Sequence, residues 1–426
     1  MTFTKIALAA AATLAVAAQA QAATVNLTGA SATSIAYVKA LKSLCGGTFT
    51  VYKTDTTTTA LGNFFTAKCS SNFTGLSNAG GVAVDAVAFN VSGGSFTAVS
   101  GSAGTATFAF VPTTGGTAAA GADNLAGIAL QTGVTASLTG QKSRGGFLDI
   151  EPTSFPETEL TAAGVSASTL ASKTSAASFS QVFGVAVSND LYRALQTAQG
   201  ITVPTGADNR LPAYQPSISR AKYASIVYEG FNSAKQDIND LLGVGAAGDK
   251  LTLCRRVSTS GTQAASNQYF LNGFIGSDGA NAGAFVPADA ATFGPGSGLD
   301  SYEVQEGGGT SDARNCLNAN GYAVGVLSLE NNPAATTTTG ELGGYRFVKL
   351  GGVAAYDGVG SVASAKDGSY EFWYQSQKFA NDATGAAVLN AIDGKLDDLT
   401  GLTGLFPNAA NLYTRNGSNT NPITKQ

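Results

Sequence analysis

Arg255 and Arg256 stand directly before a Val-Ser-Thr-Ser-Gly-Thr stretch (257–262), in a chain of 426 residues of which only 12% are charged. Arginine offers a planar fork of donors that fits the oxygens of carboxylates and phosphates. The segment LTLCRR (251–256) reads as a strand, and TQAASNQYFLNGF (262–274) has the length of about three helical turns. A helix start leaves several N–H groups without intrahelical partners and carries a partial positive charge, so it attracts anions. Ser258, Thr259 or Ser260 can cap that helix, and Gly261 lets a backbone come close to a ligand. Neighbouring strand residues point to opposite faces, so the two arginines cannot enter one pocket. Arg256, four residues before Ser260, is the candidate for an anion; Arg255 is expected to face solvent or a surface carboxylate. Ser/Thr clusters also cap helices with no ligand present, so this stretch alone is also met by capping. A second helix mouth of the same type, Thr33 and Ser34 after GASA (29–32), shifts the balance toward a ligand held between two halves of the chain.

Several chemistries are excluded. There is no histidine, which removes Ser-His-Asp and Cys-His catalysis and imidazole zinc sites. No catalytic residue, metal site or cofactor is assigned, and the chain is read as not an enzyme. The segment GVGAAGDK (243–250) imitates a phosphate loop, but it follows the helical run DINDLLG and has Asp249 where that loop needs lysine. It reads as a helix end and a loop. A net charge of −4 gives no electrostatic footprint for nucleic acid.

The N-terminal MTFTKIALAAAATLAVAAQAQA has one lysine, an apolar run, and Ala20 and Ala22 flanking Gln21, the pattern of a secretory signal peptide cleaved after Ala22. No later run reaches the roughly 18 apolar residues of a membrane span. The expected location is therefore the periplasm or the exterior, where four cysteines should pair. Three connectivities are open. The pairing Cys45–Cys69 with Cys254–Cys316 closes one loop within each proposed domain.

The elements that must position these residues alternate between strand and helix, which indicates an α/β architecture. After a short strand, a helix is expected from Ser34, with Ile35, Val38, Leu41 and Leu44 at helical spacing. Residues 46–145 are rich in Gly, Thr, Ser and Ala, with strand-like TFTVYKT, VDAVAFNVS and ATFAFV, and part of this region is read as a β-rich surface insertion. QVFGVAVSNDLYRAL (181–195) reads as a buried strand and a helix; residues 215–242 as two helical stretches broken near Gly230; GYAVGVLSLE, YRFVKLGGVAAY and YEFWYQSQKF as later strands, the last of them final.

LTGASATSIAYVKAL (27–41), GFLDIEP (146–152) and RRVSTSGT (255–262) resemble, in order and rough spacing, three signature segments of the periplasmic phosphate-binding proteins of ABC importers. The resemblance implies a type II periplasmic-binding-protein fold: two α/β lobes joined by hinge strands, the first discontinuous (23–195 and 340–426), the second spanning 196–339. It implies that inorganic phosphate or a related tetrahedral oxyanion is captured between the lobes, for delivery to an inner-membrane ABC importer or for scavenging outside the cell. Carried over, Thr33 supplies a hydroxyl and Ser34 a backbone N–H; Arg256, Ser260, Gly261 and Thr262 supply the guanidinium, hydroxyls and amides of the other lobe. Asp149 is the acceptor for a protonated phosphate oxygen, with Glu151 the alternative two residues on, and Ser92 with Gly93 in VSGGS stands for a glycine-rich ligand loop. Leu148 replaces a serine of the family pattern and Ser258 an acidic residue that orients the arginine. The competing reading is an extracellular structural protein that keeps the fold without ligand transport.

Overall fold

The computed structural model describes residues 23–103, 105–232, 238–271, 302–331, 344–357, 362–396, 404–410, 412–415 and 422–425. The expected signal peptide lies outside the described residues. So do most of the residues between the expected later strands, 332–343.

Two mixed sheets carry the architecture, which is α/β. The first has the order β1-β4-β3-β2-β7-β6, from β1 (Ala23–Thr28), β2 (Phe49–Lys53), β3 (Phe64–Cys69), β4 (Val84–Asn90), β6 (Thr117–Ala120) and β7 (Ala129–Thr132). Its outer strand β1 is parallel to β4 and delivers the chain to α1 (Ser34–Leu44). Helix α1 buries Ala36, Tyr37, Val38, Ala40, Leu41 and Leu44; Ile35, expected with them, is only partly covered. Residues 46–145 are β-rich, and five of the six strands of this sheet come from them. The surface character expected of part of that region belongs to β6 and to the pair β5 (Phe108–Phe110) and β8 (Leu138–Gln141): β6 is mostly exposed and β8 fully so.

The second sheet has the order β13-β12-β14-β10-β17-β9, from β9 (Gly145–Leu148), β10 (Thr174–Ser188), β12 (Leu251–Arg256), β13 (Tyr302–Gly307), β14 (Ala323–Ser328) and β17 (Trp373–Ala380). Strands β15 (Tyr345–Phe347) and β18 (Leu405–Pro407) also pair with β10. Strand β12 lies between parallel neighbours β13 and β14, and all six of its residues are buried. The 15 residues of β10, about 50 Å if fully extended, pass from one hydrophobic core to the other. Ala177 and Phe179 pack with α1 and β1–β4, while Val182, Phe183 and Val185 pack with β12 and β14.

Helix α2 (Asn189–Ala198) follows β10; α3 (Arg220–Asn232) runs through Gly230 without the break expected there, and α4 spans Ile238–Leu242. The loop after α4 turns at Gly243, and GVGAAGDK contains no helix start. Helix α5 (Gly261–Leu271) opens directly after the β12 turn, and α6 (Thr310–Ala319) packs on β12, β13 and β14. Strand β17 is not the last element: α7 (Ala383–Asp393) and β18 follow it. Cys45 is bonded to Cys69, and Cys254 to Cys316. The second bridge fastens α6 to the strand that carries both arginines.

Candidate functional site

Strand β12 presents its two arginines as alternation demands. Arg255 faces Glu306 directly across on β13 and pairs with its carboxylate; it is covered by the fold, with only 9% of its side chain exposed. Of the two expectations for Arg255, solvent or a surface carboxylate, the structure shows the second, with the guanidinium itself covered and Glu306 at the surface. Arg256 lies on the other face and is buried. Its Nε donates to Gly307 O at 3.3 Å, Nη1 to Thr310 Oγ1 at 2.8 Å and Nη2 to Gly308 O at 3.0 Å. Three of the five guanidinium N–H groups are thereby fixed, and one on each terminal nitrogen is left for another acceptor. Burial pulls its pKa down to about 10, against the opposing effect of Asp149 and Asp312, so the group stays cationic near neutrality.

The turn after Arg256 folds on itself before α5. Ser260 N–H donates to Val257 O at 2.9 Å, and Ser260 Oγ accepts from Gln263 N–H at 3.4 Å, which caps the helix. The N–H groups of Gly261 and Thr262 make no hydrogen bond within the described residues. These are the donors that a helix start offers to an anion. Thr262 is buried beside them. Ser258, on the turn, donates to Glu159 Oε1 at 2.5 Å and does not touch Arg256.

Asp149 sits immediately after β9, in the bend where GFLDIEP leaves the sheet. Its Oδ2 accepts from Ser95 Oγ at 2.9 Å, and its Oδ1 is buried with no hydrogen-bond partner among the described residues. Burial pushes the carboxyl up to about 6, opposed by the Ser95 hydrogen bond and by the Arg256 charge. A methyl group placed on Gly261 would lie 2.4 Å from Ser95 Oγ and 2.6 Å from Asp149 Oδ2, so this position admits only hydrogen. Glu151 instead precedes the short turn Pro152–Ser154, on the side of Tyr374 and Arg415.

The glycine-rich loop reaches the same place by a different serine. Ser92 folds back on Asn90, with Oγ donating to Asn90 Oδ1 at 2.6 Å, and is a turn former. Ser95, three residues on, is the one at Asp149. Between them Gly94 has φ of +83° and lies so close to the β12 turn that an added carbon would stand 2.6 Å from Ser260 Cα. Phe96 N–H then donates to Thr259 O at 3.0 Å, tying the loop to the turn through backbone alone.

At the start of α1 the arrangement is tighter than expected. Thr33 Oγ1 bonds to Tyr37 OH, and Ser34 N–H donates to Ser31 O at 3.3 Å with Ser34 Oγ on the same carbonyl at 2.7 Å. Neither residue offers its group outward in this conformation. Ser31 makes the connection instead: its Oγ is 3.0 Å from Thr310 Oγ1, the hydroxyl that holds Arg256. Asp149, Gly261 and Arg256 are thus brought together, with Thr262 and Ser260 at the same helix mouth. Ser34 is connected to them through Ser31 and Thr310, Thr33 is engaged with Tyr37, and Ser92 does not join.

Beside Ser31 and Thr310 opens a cavity of about 560 Å³, walled on one side by loops of the first sheet and on the other by Thr310, Arg314, Glu330 and Asn331. Burial raises the pKa of Glu330, and Asp149 raises it further. Lys53, wholly buried, donates to Asp55 Oδ1 at 3.2 Å and to the carbonyls of Asp55, Thr57 and Ala60, which shapes the rim loop. Among the described residues no group of three or more carboxylates and thiols is placed to hold a metal ion. No described helix is long and apolar enough to cross a membrane.

No protein-family model matches the sequence, and no curated protein matches it. Among solved structures the chain is similar to a protein from Clostridium perfringens described as a phosphate ABC transporter substrate-binding protein with bound phosphate. Identity is 10%, coverage 90% of this chain and 99% of that one, and the TM-score 0.43. It is also similar to a phosphate binding protein from Stenotrophomonas maltophilia, at 12% identity, 88% and 83% coverage and a TM-score of 0.40. PstS from Borrelia burgdorferi aligns at 9% identity, 90% and 98% coverage and a TM-score of 0.34. Each ligand named there belongs to that protein.

Proposed function

We propose that this chain is an exported solute-binding protein that captures inorganic phosphate or a related tetrahedral oxyanion, and that it is not an enzyme. The observation that carries the reading is the meeting of Asp149, Arg256 and the start of α5. A buried carboxyl stands beside a buried guanidinium and a helix mouth; among the described residues one of its oxygens and the first two N–H groups of the helix have no hydrogen-bond partner. Such a set suits an anion that still carries a proton: the amides and guanidinium accept its charge, and Asp149 takes the proton's hydrogen bond. Sulfate, fully ionised, brings no proton and meets only the carboxylate's repulsion. Two lobes, 23–195 with 340–426 and 196–339, would close over the anion, and β10, shared by both cores, would be one hinge. The two disulfides suit an oxidising compartment, the periplasm or the exterior, from which an inner-membrane ABC importer would draw the anion.

The test is calorimetric titration of phosphate and of sulfate into the mature chain and into Arg255→Ala and Arg256→Ala. Phosphate should bind and sulfate should not. Arg256→Ala should lose about 2–5 kcal/mol of binding free energy, as for a charged hydrogen bond removed from a buried site. Arg255→Ala should bind as the parent does, since its side chain is engaged with Glu306.

A second reading has its own support. Asp149 already rests against Gly261, and Arg256 already has three acceptors, so the chain's own carboxylate can serve as the anion at the helix mouth. In that case the protein is an extracellular structural protein with the fold but no ligand. Absence of phosphate binding by the unaltered chain would decide for it.

A further inference from the structure

The cavity beside the anion site is too large and wrongly charged for an oxyanion alone. A five-atom oxyanion needs on the order of 100 Å³, taking about 30 Å³ for each water it displaces. The cavity holds about 560 Å³, within the range of small-molecule sites. Its wall carries carboxylates, Asp55, Asp123 and Glu330, against one guanidinium, Arg314. Carboxylates accept hydrogen bonds and repel anions, so their natural partners are hydroxyl groups. Asp55 Oδ1 is occupied by Lys53 and Thr57, and its second oxygen has no hydrogen bond among the described residues. Glu330 makes no hydrogen bond within the described residues, although burial disfavours its charge. On opposite walls, Asn63 can both donate and accept, and Asn331, whose amide nitrogen is held by Ser328, offers its oxygen as an acceptor.

The cavity adjoins the anion site through two hydroxyl residues, while Arg256, Asp149 and Gly261 lie behind its wall rather than in it. Arg256 reaches Thr310, Thr310 reaches Ser31, and both hydroxyl residues line the cavity. Resting on the oxyanion reading above, we infer that the physiological ligand is a phosphomonoester of a polyhydroxylated carbon chain, its phosphate at Arg256 and Asp149 and its hydroxyls against Glu330, Asp55 and Asn63. The ester oxygen points along the line from Thr310 into the cavity, and a phosphomonoester keeps the protonatable oxygen that Asp149 requires.

Titration calorimetry with inorganic phosphate, glycerol 3-phosphate and glucose 6-phosphate tests this on the full mature chain and on Glu330→Gln and Asn63→Ala, each first shown folded by circular dichroism. At least one ester should bind about tenfold tighter than inorganic phosphate, the contribution of one or two hydrogen bonds. Each variant should weaken ester binding about tenfold and leave inorganic phosphate within about twofold. Phosphate binding tighter than both esters overturns this inference and leaves the oxyanion reading standing. Variants that weaken both kinds of ligand alike also overturn it. No binding of any of the three overturns both.

Discussion

Replacing Asp149 by asparagine keeps the shape of the side chain and an acceptor for Ser95 while removing the charge. In the folded protein burial holds this carboxyl at about 6, against an ordinary value of 3.8. That gap corresponds to about 3 kcal/mol between the two protonation states. Between these pH values the folded chain keeps a proton that the unfolded chain has released. Stability from this group is therefore greatest below about pH 4, falls as the pH rises, and is lost once the pH passes about 6. Asparagine cannot ionise, so Asp149→Asn should match the parent near pH 4 and exceed it by up to about 3 kcal/mol at pH 7.5. For about 400 folded residues the unfolding entropy is roughly 0.85 kcal/mol/K, which makes this a rise in Tm of about 3–4 °C. Scanning calorimetry in phosphate-free buffer at pH 4, 6 and 7.5 reads it directly. A difference in Tm that does not grow with pH, or a variant less stable than the parent at pH 7.5, would refute the burial argument.

Two other perturbations have defined outcomes. Gly261→Ala places a carbon inside contact distance of Ser95 Oγ and Asp149 Oδ2, and should cost about 1–3 kcal/mol in denaturant titration; an unchanged midpoint would mean that the loop yields freely. Removing the disulfides one at a time with Cys→Ser pairs should cost about 4.3 kcal/mol for Cys254–Cys316, separated by 62 residues, and about 3.5 kcal/mol for Cys45–Cys69, separated by 24, by loop entropy. Only the first should also weaken anion binding, because it fastens α6 and Thr310 to the arginine strand; equal effects on binding would contradict that role.

What could be read in the sequence was what depends on local order. Alternation along β12 separates Arg255 from Arg256, and the Ser/Thr turn followed by helical spacing gives α5, because both rest on neighbouring residues. The course of 46–145 was harder to read: β1 pairs with β4, more than fifty residues away, and no periodicity announces such a partner. That Ser95 and not Ser92 meets Asp149 has a related cause. The left-handed turn at Gly94 decides which serine faces inward, and glycine's torsions cannot be inferred from residue type. Thr310 and Ser31 lie in Gly- and Ala-rich surroundings that look like ordinary loop; their importance comes from a contact 279 residues apart in the chain. Glu330 is distinguished only by the cavity it faces, and no motif marks it.

The junction of the glycine-rich loop with the β12 turn is made of main chain: Phe96 N–H on Thr259 O, and Gly94 against Ser260 Cα. Such a joint has no side chain to lose. Drift in the flanking side chains leaves it whole, and alanine at Thr259 would remove none of its contacts. Its vulnerability is confined to the glycine, where any larger residue would push the loop off the turn and carry Ser95 away from Asp149. The part of this molecule most resistant to sequence divergence is thus also the part that a single glycine replacement undoes.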